Sequence, residues 1–320
     1  MKKKNYLLNF VFIIALIEIL NRILFKYSSV KYKKLQSSYK FYPWKLGKIH
    51  YRVEGKGSPL LLIHGIGNGA SSYEWRKNIS YLSKNFKVYT IDLLGFGYSS
   101  KPKVSYTAFL YVQLIQDFIK QVIKEPTFVI ANSQSASFTV MACASSPGLF
   151  KKMILLSPTG IKKQSNYPIL KSKIIKNIIE FPIIGTIIFS IMSSKIYTYY
   201  FIKKNLYRSS ISVSSSLIDA YHGAARLGGP SARYLLASFL GNYINVNVNN
   251  VLPQLSCPIC IIWGKGNTLV PVSLLNEWER TNPNISSNIF EKSRSMPQEE
   301  EPLKFNEICK IFLQKRKDES

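Results

Sequence analysis

Short apolar runs alternate with longer segments of helical periodicity from about residue 47 onward. The runs are rich in β-branched residues and bounded by glycine, proline or asparagine, which is typical of strands buried on both faces. This alternation predicts an α/β fold with a mostly parallel central sheet and helices on both of its faces. Beyond an early strand around His50, strands are predicted at residues 59–65, 86–95, 127–132, 153–158, 257–264 and 287–293. Helices are predicted at residues 71–85, 107–124 and 302–315.

One long segment interrupts the alternation. Residues 161–251 contain no clear strand and are rich in Ile, Tyr and Lys, which predicts a helical cap inserted between core segments 47–160 and 252–318. Pro182 and Gly185 are expected to divide its most apolar stretch into separate helices. Such a cap could roof an apolar pocket, dip into a membrane, or form a helical subdomain with its own core, and the sequence leaves these alternatives open.

The N-terminal segment, residues 1–35, is predicted to be a hydrophobic anchor or signal-like element. Three lysines precede an apolar run, and no small-residue cleavage site follows it. An uncleaved signal anchor, an interfacial helix and a buried helix all fit its length. We expect association with a membrane, and because lysines flank both sides of the run, its orientation is open, with a weak preference for a cytoplasmic catalytic domain.

The charge balance is strongly basic. The chain has 43 Lys and Arg against 17 Asp and Glu, a formal net charge of +26, which favours anionic surfaces such as phospholipid headgroups or nucleic acid. A compositional bias toward Lys, Ile, Asn and Tyr explains the charge without any partner. The basic residues are scattered and no nucleic-acid-binding motif accompanies them, so we expect no nucleic acid partner. Four dispersed cysteines do not indicate a disulfide framework, and neither a metal nor a cofactor is expected.

Four motifs, in this order along the chain, resemble those of the α/β-hydrolase superfamily: HGIGNGASSYEW, DLLGFGYSSKP, ANSQSA and CPICIIWGKGNTLVP. The resemblance covers nearly all of the chain after about residue 47. It implies a nucleophile elbow, a turn from strand to helix that lifts a serine above the sheet.

The resemblance assigns roles to residues around that turn. Ser133 is the implied nucleophile, and the backbone N–H groups of Gln134 and Ile66 are the implied oxyanion hole. His64 and Gly65, at the start of the loop after the first buried strand, are expected on the substrate-binding side, where the histidine shapes the loop.

The remaining catalytic positions depart from the family pattern. Asn267 stands where the family has the acid, and Ser295 stands where it has the general base histidine. Serine cannot accept a proton near neutral pH, so Ser133 would lose its activator. His222 in the cap, with Asp219 three residues earlier on the same helical face, is a speculative replacement base. No histidine follows His222 in the chain.

Three functions are therefore open. The first is a hydrolase of ester, thioester or lipid-like acyl substrates that uses Ser133 with a nonstandard or impaired triad and has weak activity. The second is a catalytically impaired homologue that binds an apolar ligand or a partner. The third is a Rossmann-like nucleotide-binding protein, in which the glycines after residue 64 hold a pyrophosphate and Asp92 holds a ribose. A small apolar molecule and a membrane are the expected partners, and the oligomeric state is not indicated.

Overall fold

The central sheet has eight strands in the order β1-β2-β4-β3-β5-β6-β7-β8. In the computed structural model, residues 40–209 and 213–315 are described, together with positions 19 and 23. The first two strands run antiparallel to their neighbours, and the other strand pairs are parallel. The predicted N-terminal anchor, residues 1–35, lies outside the described residues apart from those two positions.

The strands and helices are numbered in chain order. The strands are β1 Lys40–Trp44, β2 Gly47–Glu54, β3 Pro59–Ile63, β4 Lys87–Ile91, β5 Thr127–Asn132, β6 Phe150–Leu156, β7 Ile259–Gly264 and β8 Ser286–Phe290. The core helices are α1 Ile79–Leu82, α2 Ala108–Phe118, α3 Gln134–Ser145, α9 Leu275–Thr281, α10 Pro297–Glu300 and α11 Pro302–Gln314. The helices between β6 and β7 are α4 Leu170–Glu180, α5 Pro182–Met192, α6 Lys195–Phe201, α7 Ser215–Arg226 and α8 Arg233–Leu240.

Burial on both faces explains why the inner strands are continuously apolar. In β3, Leu61 and Ile63 pack into the larger core on one face of the sheet. Leu60 and Leu62 alternate with them and pack into a second core on the other face. The predicted fold, a mostly parallel sheet covered on both faces and carrying an inserted helical cap, is confirmed.

The chain reverses its direction of winding between β3 and β5. It passes from β3 to β4 on one side of β3 and then returns to add β5 on the other side. Parallel sheets open a crevice at the carboxyl ends of the strands at such a point, and ligands bind there. The segments that follow Ile63 and Asn132 therefore meet at this edge of the sheet.

The single helix predicted at residues 71–85 is wrong. The segment forms a short 3₁₀ helix, Ser72–Trp75, and then α1. Asn78 between them is buried, and its side-chain amide donates to the Gln298 carbonyl and to Asn306 Oδ1, both at 2.9 Å. These tertiary contacts hold the side chain inward and override the helical periodicity. The antiparallel strand β1 was not predicted.

The cap helices α4 and α5 meet at a sharp bend. Pro182 begins α5, as expected of a residue that ends the preceding helix. Gly185 does not end a helix but lies inside α5, where a Cβ would stand 1.7 Å from the carbonyl oxygen of Ile179. The glycine thus allows close approach of the two helices rather than a break in the chain. Within the described ranges, no single helix is long and apolar enough to cross a membrane. The pair α4 and α5 together has the required length and apolar composition, but the two helices meet at an 89° bend.

Candidate active site

Ser133 occupies the turn between β5 and α3. Its backbone has φ 54° and ψ −123°, a conformation that non-glycine residues rarely adopt, and its N–H donates to the Leu156 carbonyl at 2.7 Å. A serine held in this way stands above the carboxyl end of the sheet at the N-terminus of the following helix. The geometry is that of a nucleophile elbow.

The residues two positions on either side of Ser133 are Ala131 and Ser135, where glycines are usual in the resemblance. Both are fully buried. The Ser135 hydroxyl donates to the His64 carbonyl at 2.6 Å and so joins the elbow to the loop that follows β3. Ser135 therefore fixes the position of this loop relative to the nucleophile.

The backbone at the predicted oxyanion hole is placed consistently with that role. Gln134 is the first residue of α3, so its N–H has no carbonyl partner within the helix. Its side chain is directed toward the cap, where Nε2 donates to the Ile244 carbonyl at 3.1 Å. Gly65 and Ile66 line the same cavity as Ser133.

A cavity of about 520 Å³, which we name the serine chamber, is lined by several of the candidate catalytic residues. Its walls include Ser133, Asn267, Ser295, Glu74 and Tyr221. The structure thus brings together Ser133, the predicted nucleophile, and the two positions at which the sequence departs from the family pattern.

Asn267 and Ser295 contact each other in the serine chamber. Ser295 Oγ lies 3.0 Å from Asn267 Oδ1, and it also lies 3.0 Å from the Asn205 carbonyl. Asn267 Oδ1 accepts from the N–H groups of Leu269 and Val270, each at 3.0 Å, which fixes its orientation. The two residues meet as an acid and base would, but neither side chain accepts a proton near neutral pH.

A second cavity, of about 440 Å³, lies between the cap and the core, and we name it the apolar chamber. It shares residues of the loop after β3, including Ile66 and Asn68, with the serine chamber. Its other walls are mainly aromatic and aliphatic side chains, among them Phe96, Phe189, Ala225, Leu235, Leu236 and Phe239. An apolar group beside Ser133 would find a matching environment here.

Comparisons with known proteins agree with this geometry. A family model described as the alpha/beta hydrolase fold matches residues 58–176. The crystal structure of a serine hydrolase involved in carbazole degradation superposes with a TM-score of 0.73 at 19% identity, covering 87% of this chain and 99% of that chain. The chain has the α/β-hydrolase fold.

Two curated relatives align over most of this chain. An uncharacterized protein of Mycobacterium tuberculosis is 24% identical over 283 residues, which are 82% of this chain and 77% of the relative. A pimeloyl-[acyl-carrier protein] methyl ester esterase of Aliivibrio fischeri is 20% identical over 270 residues, 78% of this chain and 91% of the relative.

The speculative assignment of His222 as the base does not fit the structure. His222 Nδ1 contacts the Ser193 carbonyl at 2.8 Å, and Asp219 pairs with Lys195 Nζ at 2.6 Å. On α7 the preceding residue, Tyr221, faces the serine chamber, and one step along a helix turns the side chain by about 100°. Burial also lowers the pKa of His222. All three histidines of the chain lie among the residues that the structure describes, and none of them lines the serine chamber.

His64 holds the loop that follows β3 but does not line either chamber. Nε2 accepts from the Leu93 N–H at 3.0 Å, and Nδ1 donates to the Gly65 carbonyl at 2.7 Å. Burial lowers the pKa of the ring, so the neutral form is favoured. Of the two residues expected on the substrate-binding side, Gly65 lines the serine chamber and the His64 side chain does not.

The nucleotide-binding alternative is not supported by the position of Asp92. The carboxylate is fully buried, contacts His50 Nδ1 at 2.8 Å, and accepts from the N–H groups of Ser72 at 2.7 Å and Tyr98 at 2.9 Å. These partners lower the pKa of Asp92 despite its burial. Asp92 thus stabilises the two loops beside it and is closed to a ribose.

Glu74 is a chamber residue that the sequence reasoning missed. It is buried, accepts from the Gly65 N–H at 3.1 Å, and accepts from Asn132 Nδ2 at 3.3 Å. Burial, together with the nearby charge of Glu299, raises its pKa well above the usual range. The available signal was that Glu74 is the only acidic residue between β3 and β4.

Proposed function

We propose that the protein is a slow serine hydrolase of acyl esters or thioesters with an apolar group, in which Ser133 is the nucleophile. The observation that carries this proposal is the strained backbone of Ser133 at the N-terminus of α3, opening into the serine chamber. The adjoining apolar chamber supports an apolar acyl or alkyl group. The similarity to a protein whose name is that of a methyl ester esterase supports ester chemistry.

The proton of the Ser133 hydroxyl requires an acceptor other than the usual imidazole. In this proposal the Glu74 carboxylate, directly or through one water molecule, takes the proton as Oγ attacks the carbonyl carbon. The proton then passes to the leaving alcohol or thiol, and water hydrolyses the acyl enzyme by the same route. A raised pKa suits Glu74 to this role, because it makes the carboxylate a stronger base than an ordinary carboxylate.

Labelling with a fluorophosphonate probe tests this function. We expect slow labelling of the wild type and none of Ser133→Ala, because only a serine in an oxyanion hole attacks such a probe readily. Ser145→Ala is the matched control, since this exposed serine ends the same helix, α3, and should not affect labelling.

An alternative function follows from the contact between Asn267 and Ser295. Because neither side chain titrates near neutral pH, an impaired homologue that only binds an apolar ligand is the second candidate. Folded wild-type protein that no fluorophosphonate labels, even after prolonged incubation, would favour this candidate over the hydrolase. Labelling that persists in Ser133→Ala would contradict the assignment of the nucleophile.

A further inference from the structure

The outer face of the cap carries a row of exposed apolar side chains. On α4, Leu170, Ile174 and Ile178 recur every four residues and are 76%, 52% and 46% exposed. Residues at this spacing lie on one face of a helix. We name the following six exposed residues the cap stripe: Ile169, Leu170, Ile174, Ile178, Phe181 and Ile184.

The cap stripe continues around the bend between α4 and α5. Phe181 lies at the bend, and Ile184 is in the first turn of α5. An exposed run of large apolar residues is unusual on a soluble surface and marks a site of interaction.

Lysines lie among the residues of the cap stripe. Between residues 162 and 204 the chain has eight lysines and a single acidic residue, Glu180. Three of these lysines, Lys162, Lys176 and Lys195, pair with acidic side chains. Lys171 and Lys173 are exposed and alternate with the apolar side chains of α4. Apolar residues flanked by lysines favour the interface of an anionic membrane, where the apolar side chains enter the acyl boundary and the lysines contact the headgroups.

The same two helices form part of the roof of the apolar chamber. Phe189 on α5 lines that chamber, and the carbonyl of Met192 accepts from Asn68 Nδ2 of the oxyanion loop at 2.5 Å. The outer face of α4 and α5 therefore lies on the opposite side of the cap from the candidate site.

We propose that the cap stripe docks on the surface of an anionic phospholipid bilayer. The apolar side chains of α4 and the start of α5 insert at the level of the headgroups, and Lys171 and Lys173 contact lipid phosphates. The inference concerns binding to the lipid surface and does not require that Ser133 be catalytic.

The test places a tryptophan on the cap stripe of the full chain. All four native tryptophans are buried, so an Ile174→Trp side chain dominates the lipid-accessible emission. When the protein binds vesicles of phosphatidylcholine and phosphatidylglycerol, we expect the emission of this tryptophan to shift to shorter wavelength. We also expect nitroxide-labelled phospholipid to quench it. Phe109→Trp is the matched control, because Phe109 is 67% exposed on the core helix α2 and should show neither effect.

This measurement reports on the cap stripe itself, whatever residues 1–35 do. Unchanged emission of both Ile174→Trp and a second probe, Ile178→Trp, on vesicles that carry the protein would overturn the proposal. A shift that depends on protein concentration and is insensitive to the lipid quencher would overturn it in favour of a second copy of the chain as occupant.

The charge contribution has its own test. Each lysine near an anionic surface increases the affinity for the vesicle by about fivefold. In the Ile174→Trp protein, replacing Lys171 and Lys173 with glutamate should therefore reduce the affinity for the vesicles, measured by lipid-dependent quenching, by more than about tenfold. Raised salt should weaken the same signal. Equal affinity for the reversed-charge variant would overturn the assignment of these lysines.

Discussion

Ser133 and the loop after β3 are held together by contacts that involve no catalytic acid or base. The Ser133 N–H is bound to the Leu156 carbonyl, and the Ser135 hydroxyl is bound to the His64 carbonyl. The elbow and the predicted oxyanion hole are therefore built from backbone and a neutral hydroxyl. This explains how a chain with serine and asparagine at the base and acid positions keeps the rest of the site in place.

Restoring the base and the acid should increase turnover. Asn267→Asp combined with Ser295→His replaces two residues already in contact, and an imidazole in that position would be oriented by the carboxylate. We expect hydrolysis of p-nitrophenyl acetate to rise by about 10²-fold or more, the usual contribution of general base catalysis. The same double variant with Ser133→Ala is the control. No gain in the folded double variant would show that the chamber does not present the ester to Ser133.

The role of Glu74 predicts a pH dependence. Because the carboxylate form is the base, Ser133-dependent hydrolysis should rise as the pH increases through the raised pKa of Glu74. Glu74→Gln keeps an acceptor for the Gly65 N–H but removes the base. The hydrolysis rate should therefore fall, and its rise with pH through this range should disappear. Subtracting the rate of the Ser133→Ala variant at each pH removes the contribution of ester hydrolysis by hydroxide. An unchanged profile in Glu74→Gln would exclude Glu74 as the acceptor.

The same raised pKa predicts how stability varies with pH. The folded state binds the Glu74 proton more tightly than the unfolded state does, so the free energy of unfolding falls as pH rises from the ordinary carboxyl range through the raised pKa. Thermal or urea denaturation across this range should show a smaller fall for Glu74→Gln than for the wild type. Part of the fall should remain, because burial also raises the pKa of Glu299. Identical slopes for the two proteins would contradict the raised pKa of Glu74.

The α4–α5 bend depends on one glycine. A Cβ on Gly185 would lie 1.7 Å from the Ile179 carbonyl oxygen, so Gly185→Ala forces the two helices apart. We expect a loss of about 2 kcal/mol in the free energy of unfolding, because overpacking outweighs the better helix propensity of alanine. Gly148→Ala is the control, since a Cβ there meets no atom within 4 Å. Equal urea midpoints for the two variants would show that the helices do not pack this closely.

The inner strands and the elbow were predictable because their patterns are local. Strands buried on both faces are apolar throughout, as in β3, and the turn at Ser133 follows such a strand directly. The break at Asn78 and the place of Glu74 were not predictable, because both depend on contacts with residues distant in sequence, such as Gln298 and Glu299. For His222, helical spacing related it to Asp219 but gave no information on which face of α7 meets the chamber.

The apolar chamber joins the two parts of the molecule. Phe96 and the loop after β3 come from the core, whereas Ala225 and Leu236 come from the cap. A ligand that fills the chamber would contact both parts in the folded state only. Its binding should therefore stabilise the whole protein against unfolding by mass action.

A medium-chain carboxylate should reveal this stabilisation. Decanoate at about 100 times its dissociation constant should add about 2.7 kcal/mol to the free energy of unfolding, measured as a rise in Tm. Butyrate is the matched ligand, because it has the same charge toward this basic protein but little apolar surface. Ala225→Phe, or Leu236→Trp if the first variant folds poorly, fills the chamber and should remove the excess effect of decanoate over butyrate. Ser133→Ala should retain this excess, since Ser133 does not line the apolar chamber. An excess as large in the filled variants as in the wild type would place the apolar ligand elsewhere on the protein.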